Sequence, residues 1–170
     1  CVRLVGSEMC IRDRLQGALV QESASFLAAD RQISSSREIP PSFFAKAQEK
    51  GLQTAQALVF QSMIYGGEYN QLVSVKAVDG GYPLRGELIV ADQPFGEGYA
   101  VNNIPQPGEI WLDSRLFPAL GVGLGDLVEV GMAELRIGGV LVAEPDRGGS
   151  MFDLGPRLLM NLQNVPETGV

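Results

Sequence analysis

No apolar run in this chain is long enough to cross a membrane. One such run, Ile137–Ala143, lies between Arg136 and Glu144, whereas a membrane helix needs about 20 consecutive apolar residues. With 21 glycines and 10 prolines in 170 residues, the chain is cut into short segments. It is long enough for one ordinary domain, or for two small lobes sharing a core.

Several segments carry their own signals. Leu15–Ser25 has helical spacing and leads into Phe26–Asp30, which reads as a short buried strand. Arg31–Glu38 is a polar, serine-rich loop. Pro40 and Pro41 open a helix whose apolar face is Phe43, Phe44 and Ala47, and Gly51 ends it. Leu58–Tyr65 and Gln71–Val78 alternate as strands around a Gly66-Gly67 hairpin turn. Asp79-Gly80-Gly81 forms a second turn. From Asp92 to Gly108 the chain is rich in Gly, Pro and Asn, marking a connection or lobe boundary.

A β-rich texture follows. Glu109–Leu112 reads as a strand, and Asp113 as the N-cap of a short helix through Leu120. Leu127–Val130 and Ala133–Ala143 are strands, and Pro156–Leu162 is read as a last helical piece. No repeat of 20 to 50 residues is present.

Charge and composition restrict function. Against 20 acidic residues stand 13 basic ones, for a net charge of −7, which argues against nucleic acid and anionic lipid surfaces. The absence of histidine removes the Ser-His-Asp and Cys-His nucleophiles and most mixed zinc sites. Gly121-Val122-Gly123-Leu124-Gly125 lacks phosphate-loop spacing, and Asp126 stands where phosphate would approach, so it reads as a turn. Asp146-Arg147 reads as a turn stapled by its own charge pair, and Ser34-Ser35-Ser36 as loop. Asp30, Asp79, Asp92 and Asp153 are too scattered for a carboxylate pair. Met63, Met151 and Met160 read as core filler. In Tyr82-Pro83-Leu84-Arg85-Gly86 the proline restricts Tyr82 and Gly86 permits a bend, placing Arg85 as an anchor. The sequence therefore assigns no catalytic, cofactor-binding or metal-ligating residue, and the chain is expected not to be an enzyme.

The first fourteen residues, Cys1–Arg14, read differently. Leu4-Val5-Gly6-Ser7-Glu8-Met9-Cys10-Ile11-Arg12-Asp13 resembles a translated frame of a common transposase sequencing adapter. It is therefore set aside from the fold as an assembly scar. Both cysteines of the chain, Cys1 and Cys10, fall within it.

The remaining motifs, in order, resemble a known family. They are Phe26-Leu27-Ala28-Ala29-Asp30, Ser62-Met63, Gln71–Val78, Gly81-Tyr82-Pro83-Leu84-Arg85-Gly86, Gly108–Asp113, Gly125-Asp126, Glu144–Gly149 and Pro156–Leu162. Together they resemble the MacB/FtsX-type ABC transporter permeases, in particular the YbbP-like group. The resemblance implies an α+β periplasmic core domain, with a partial porter-like βαβ lobe and a small β-rich inserted lobe. Residues 15–25 would then end a membrane-proximal helix, 26–104 form the incomplete porter-like lobe, 105–165 the inserted lobe, and 166–170 a truncated end.

The same resemblance implies a non-catalytic domain on the periplasmic side of the bacterial inner membrane. Its partner would be a separate cytoplasmic ABC ATPase, reached through membrane parts outside this sequence, with a periplasmic protein or lipid as substrate. A soluble periplasmic adaptor and a lipid-ester hydrolase accessory are the alternatives. With the returning strands of the porter-like lobe absent, an open sheet edge and an exposed apolar face are expected.

Overall fold

A computed structural model describes residues 27–147 and 155–169. One helix, α1 (Pro41–Glu49), precedes eight strands: β1 (Ala57–Gly66), β2 (Tyr69–Val78), β3 (Leu88–Ala91), β4 (Tyr99–Val101), β5 (Glu109–Asp113), β6 (Leu127–Val130), β7 (Ala133–Ala143) and β8 (Arg157–Asn161). A short helix, α2 (Leu116–Leu120), joins β5 to β6, and a 3-10 helix, Leu162–Thr168, follows β8. Helix and strand are both present, as expected for an α+β chain.

All eight strands belong to one sheet, in the order β4-β3-β7-β5-β8-β2-β1-β6, and β6 also pairs with β7. That additional pairing closes β6-β1-β2-β8-β5-β7 into a barrel. The β3–β4 ribbon hangs from the C-terminal half of β7 through Ile89↔Ala143, Val90↔Leu141 and Ala91↔Val140.

The β1–β2 hairpin is antiparallel from Ala57↔Val78 to Gly66↔Tyr69. Its two-residue loop starts at Gly67, with φ +61°, the left-handed conformation such tight loops require. Alternation then sorts the residues. Val73, Val75 and Ala77 join Ile110, Leu112, Leu158 and Met160 in the main core, with Leu116, Phe117 and Leu120 of α2. A second apolar cluster, with Val78, Trp111, Leu141 and Leu159, forms on the other face of the same strands beneath β3.

Three expectations are corrected. Pro156–Leu162 is not helical: Arg157–Asn161 is strand β8, parallel to β2 and antiparallel to β5. Its apolar run is buried on both faces, so periodicity cannot separate strand from helix. Within the segment read as a strand at Phe26–Asp30, residues 27–30 form a turn, while Phe26 lies outside the described residues. Ala28 there has φ +52°, and its carbonyl accepts from Arg85 N. Asp113 is not the N-cap of α2; Arg115 holds that position, without a side-chain cap. Residues on both sides of position 104 build the same sheet, since β1 and β2 share the barrel with β5–β8.

Helix α1 starts with Pro41 in its first turn, and Gly51 beyond it has φ +68°. None of its residues is buried. Among the described residues, the outer edge of β1 pairs only through Ile64 and Tyr65, to β6. The Met63 carbonyl also accepts from Gly131 N, and Ala57–Ser62 has no strand partner on that side among the described residues, with Leu58 and Val59 exposed. The segments read as Cys1–Arg14 and the helix Leu15–Ser25 lie outside the described residues.

Candidate functional site: an ionic cluster on the barrel wall

The alternation that sends Val73, Val75 and Ala77 inward sends Ser74 and Lys76 to the outer face of β2. There they are not solvated: Ser74 and Lys76 are each 3% exposed. Ser74 is paired in register with Arg157, the first residue of β8. The chain leaving β7 brings Glu144 and Asp146 over the same spot, and the turn after β2 brings Tyr82.

Lys76 Nζ lies 2.5 Å from Asp146 Oδ1 and 3.3 Å from Glu144 Oε2. It donates to Tyr82 Oη at 2.9 Å and stands 4.3 Å from the centre of the Tyr82 ring. Tyr82 Oη donates to Asp146 Oδ1 at 2.6 Å. Arg157 Nε donates to Glu144 Oε1 at 2.5 Å, and its Nη1 to Ser74 Oγ at 2.8 Å. Among the described residues, two cations thus face two carboxylates, and the Glu144 side chain has no exposure. Glu144 Oε2 receives no hydrogen bond; its partner is the Lys76 charge.

The groups of this cluster are engaged with one another. Burial, followed by the Asp146 carboxylate, pushes the Tyr82 phenol far above its ordinary range, so it remains a protonated donor. Ser74 Oγ accepts from Arg157, so it faces a cation and not a base. The ammonium is occupied by two acids and a phenol.

A neighbouring contact extends the cluster. Asp113, at the end of β5, accepts from Arg115 Nε at 3.0 Å and Nη2 at 2.8 Å, from Arg115 N at 3.0 Å, and from Arg147 Nη2 at 3.1 Å. Burial alone would raise its pKa; the Arg115 and Arg147 hydrogen bonds outweigh this and bring it from 3.8 to about 2. Asp146 and Arg147 therefore do not staple their own turn. Each reaches a different strand, Asp146 to Lys76 and Arg147 to Asp113.

The other residues singled out in sequence are dispersed. Arg85 grips Asp30 through Nε and Nη2 at 3.0 and 2.9 Å, as an exposed anchor. Asp79 caps its own turn by accepting from Gly81 N, and Asp92 accepts from Tyr99 Oη. Ser35 accepts from Arg37 N in an exposed loop. Gly121–Gly125 is the turn from α2 to β6, closed by Gly123 N donating to Asp126 Oδ2. Met160 is core, whereas Asp153 and Met151 lie outside the described residues. A shallow groove of about 350 Å³ lies under β4, lined by Val90, Tyr99, Val101, Ile104 and Trp111 among others. Among the described residues, no three His, Cys, Asp or Glu side chains are grouped to hold a metal.

Sequence reasoning missed the cluster itself. Its one signal was Lys76 inside an otherwise apolar and small strand, next to a second face that alternation alone assigns to solvent.

No protein-family model matches the chain. A search among curated proteins finds 41% identity over 169 residues, 99% of this chain, with an uncharacterized ABC transporter permease, YbbP, of Escherichia coli strain K12. By sequence, the chain matches one segment of an ABC transporter permease. It spans about a fifth of that protein's length (20%), and the alignment takes in most of Cys1–Arg14. The fold is similar to the crystal structure of the extracellular domain of YknZ, a noncanonic ABC-type transporter from Gram-positive bacteria. That match has a TM-score of 0.55 at 14% identity and covers 78% of this chain and 67% of that one. Among the described residues, no helix is long and apolar enough to cross a membrane.

Proposed function

We propose that this chain is an extracytoplasmic, non-catalytic part of an ABC transporter permease of the bacterial inner membrane. In this reading it transmits movement driven by ATP hydrolysis in a separate cytoplasmic ATPase, in the service of substrate export or of lipid or lipoprotein handling. The observation that carries the proposal is the 41% identity to a permease along 99% of the chain; the fold likeness to a transporter's extracellular domain supports it. The site geometry agrees with a mechanical role. The buried polar groups on the barrel wall bind one another across β2, β8 and the segment after β7, and so tie these elements together.

The experiment places a single cysteine at Gly80, in the exposed turn after β2, in the full-length permease made otherwise cysteine-free. Intact spheroplasts are then treated with a membrane-impermeant thiol reagent. Labelling without permeabilisation is expected; labelling that appears only after the membrane is opened overturns the proposal.

A further inference from the structure

Strand β8 poses a problem of register. It sits between β2 and β5, and its residues on both faces are buried: Leu158 and Met160 in the main core, Leu159 in the second cluster. A strand normally finds its register because one face is apolar and the other polar, so that a one-residue slip is penalised by every side chain. Leu158-Leu159-Met160 offers no such contrast. A slip would exchange Leu159 for Leu158 and Met160 at little cost in burial.

The contrast lies at the first residue. Arg157 opens β8 opposite Ser74, donates to its Oγ, and meets Glu144, which also faces Lys76 on β2. In the slipped register Arg157 would turn toward the barrel interior, away from Glu144. Lys76 would then face the Glu144 and Asp146 carboxylates without a second cation, leaving one negative charge in excess among the described residues. At the other end Asn161 Nδ2 donates to Pro105 O, and Asn161 Oδ1 accepts from Gln163 N.

We propose that the Lys76–Glu144–Arg157 cluster is a register lock: it selects the pairing of β8 with β2 and holds the Glu144–Asp146 segment against the barrel wall. Its contribution is to the uniqueness of the barrel more than to its stability. Buried ion pairs replaced together by apolar side chains of similar volume generally leave a fold as stable or more so, and their best-attested service is to specify register. The inference concerns the fold of these residues and does not depend on the transporter reading.

The test uses the 170-residue chain with a triple apolar replacement, Lys76→Met, Glu144→Leu and Arg157→Met, to which Asp146→Asn is added so that no carboxylate is left without its cation. Two cysteine pairs report register: Ala77→Cys with Met160→Cys, which are partners in the native pairing, and Ala77→Cys with Leu159→Cys, which meet only after a slip. In the parent background the first pair alone is expected to cross-link under mild oxidation. In the replaced background a cooperative unfolding transition within a few degrees of the parent is expected, with the slipped pair now cross-linking at a yield comparable to the native one. Cross-linking confined to the native pair in the replaced background overturns the proposal. A replaced variant with no cooperative transition also overturns it, since the ions would then be the source of stability and not of register.

Discussion

Lys76 shows how strongly a single side chain depends on its partners. The ammonium is 3% exposed and is matched by Asp146 and Glu144 at 2.5 and 3.3 Å. Removing one member of such a group strands the others in a poorly solvated place, which typically costs about 3–5 kcal/mol. Lys76→Met alone is therefore expected to lower stability by about that amount in denaturant unfolding, far more than the combined replacement. A loss below about 1 kcal/mol would show the pair to be solvated. Asp113 makes a prediction about pH. Its folded pKa of about 2 lies below the usual 3.8, so it stabilises the fold fully above pH 4. That contribution, on the order of 2 kcal/mol, is lost as pH falls toward 2. Asp113→Asn is expected to be less stable than the parent at neutral pH, the gap narrowing between pH 4 and pH 2 in unfolding curves. A gap unchanged across that interval would contradict the assignment.

Among the elements, the edge of β1 is the exposed liability. Ala-Leu-Val-Phe-Gln-Ser-Met, residues 57–63, carries no charge and no proline, the devices by which natural edge strands resist pairing with other chains. Only Ile64 and Tyr65 meet β6. Leu58, 43% exposed on this strand, is a position where a charge can be added without opening the core. Leu58→Lys is expected to change stability by no more than about 0.5 kcal/mol while reducing aggregation of the isolated chain, measured by light scattering on warming. Unchanged scattering at unchanged stability would mean that another surface drives association. The same strands show what was readable beforehand. Leu127–Val130 and the first half of Ala133–Ala143 fall where alternation put them, because there each has one face to bury. β8 was misread as helical because Leu158-Leu159-Met160 is buried on both faces, which removes the period that distinguishes the two conformations.

For the whole molecule, closure came from pairings remote in sequence. The parallel contact of β2 with β8 joins Ser74 to Arg157, and β6, already the hairpin partner of β7, also reaches β1. Hydrophobic patterning within the chain predicted most of the strands, the hairpin at Gly66-Gly67 and the proline-initiated α1. Each of these follows from interactions among near neighbours: alternation, turn conformation, a missing amide proton. It also implied, through its motifs, the permease resemblance that the 41% identity supports. Only the tertiary structure decided that residues on both sides of position 104 build one sheet, and that Lys76, Tyr82, Glu144, Asp146 and Arg157 form one buried site. The reason is physical: a charged residue on an alternating strand carries no local mark of whether water or another strand's charge will satisfy it. That answer depends on which distant segment the closed barrel brings across its face.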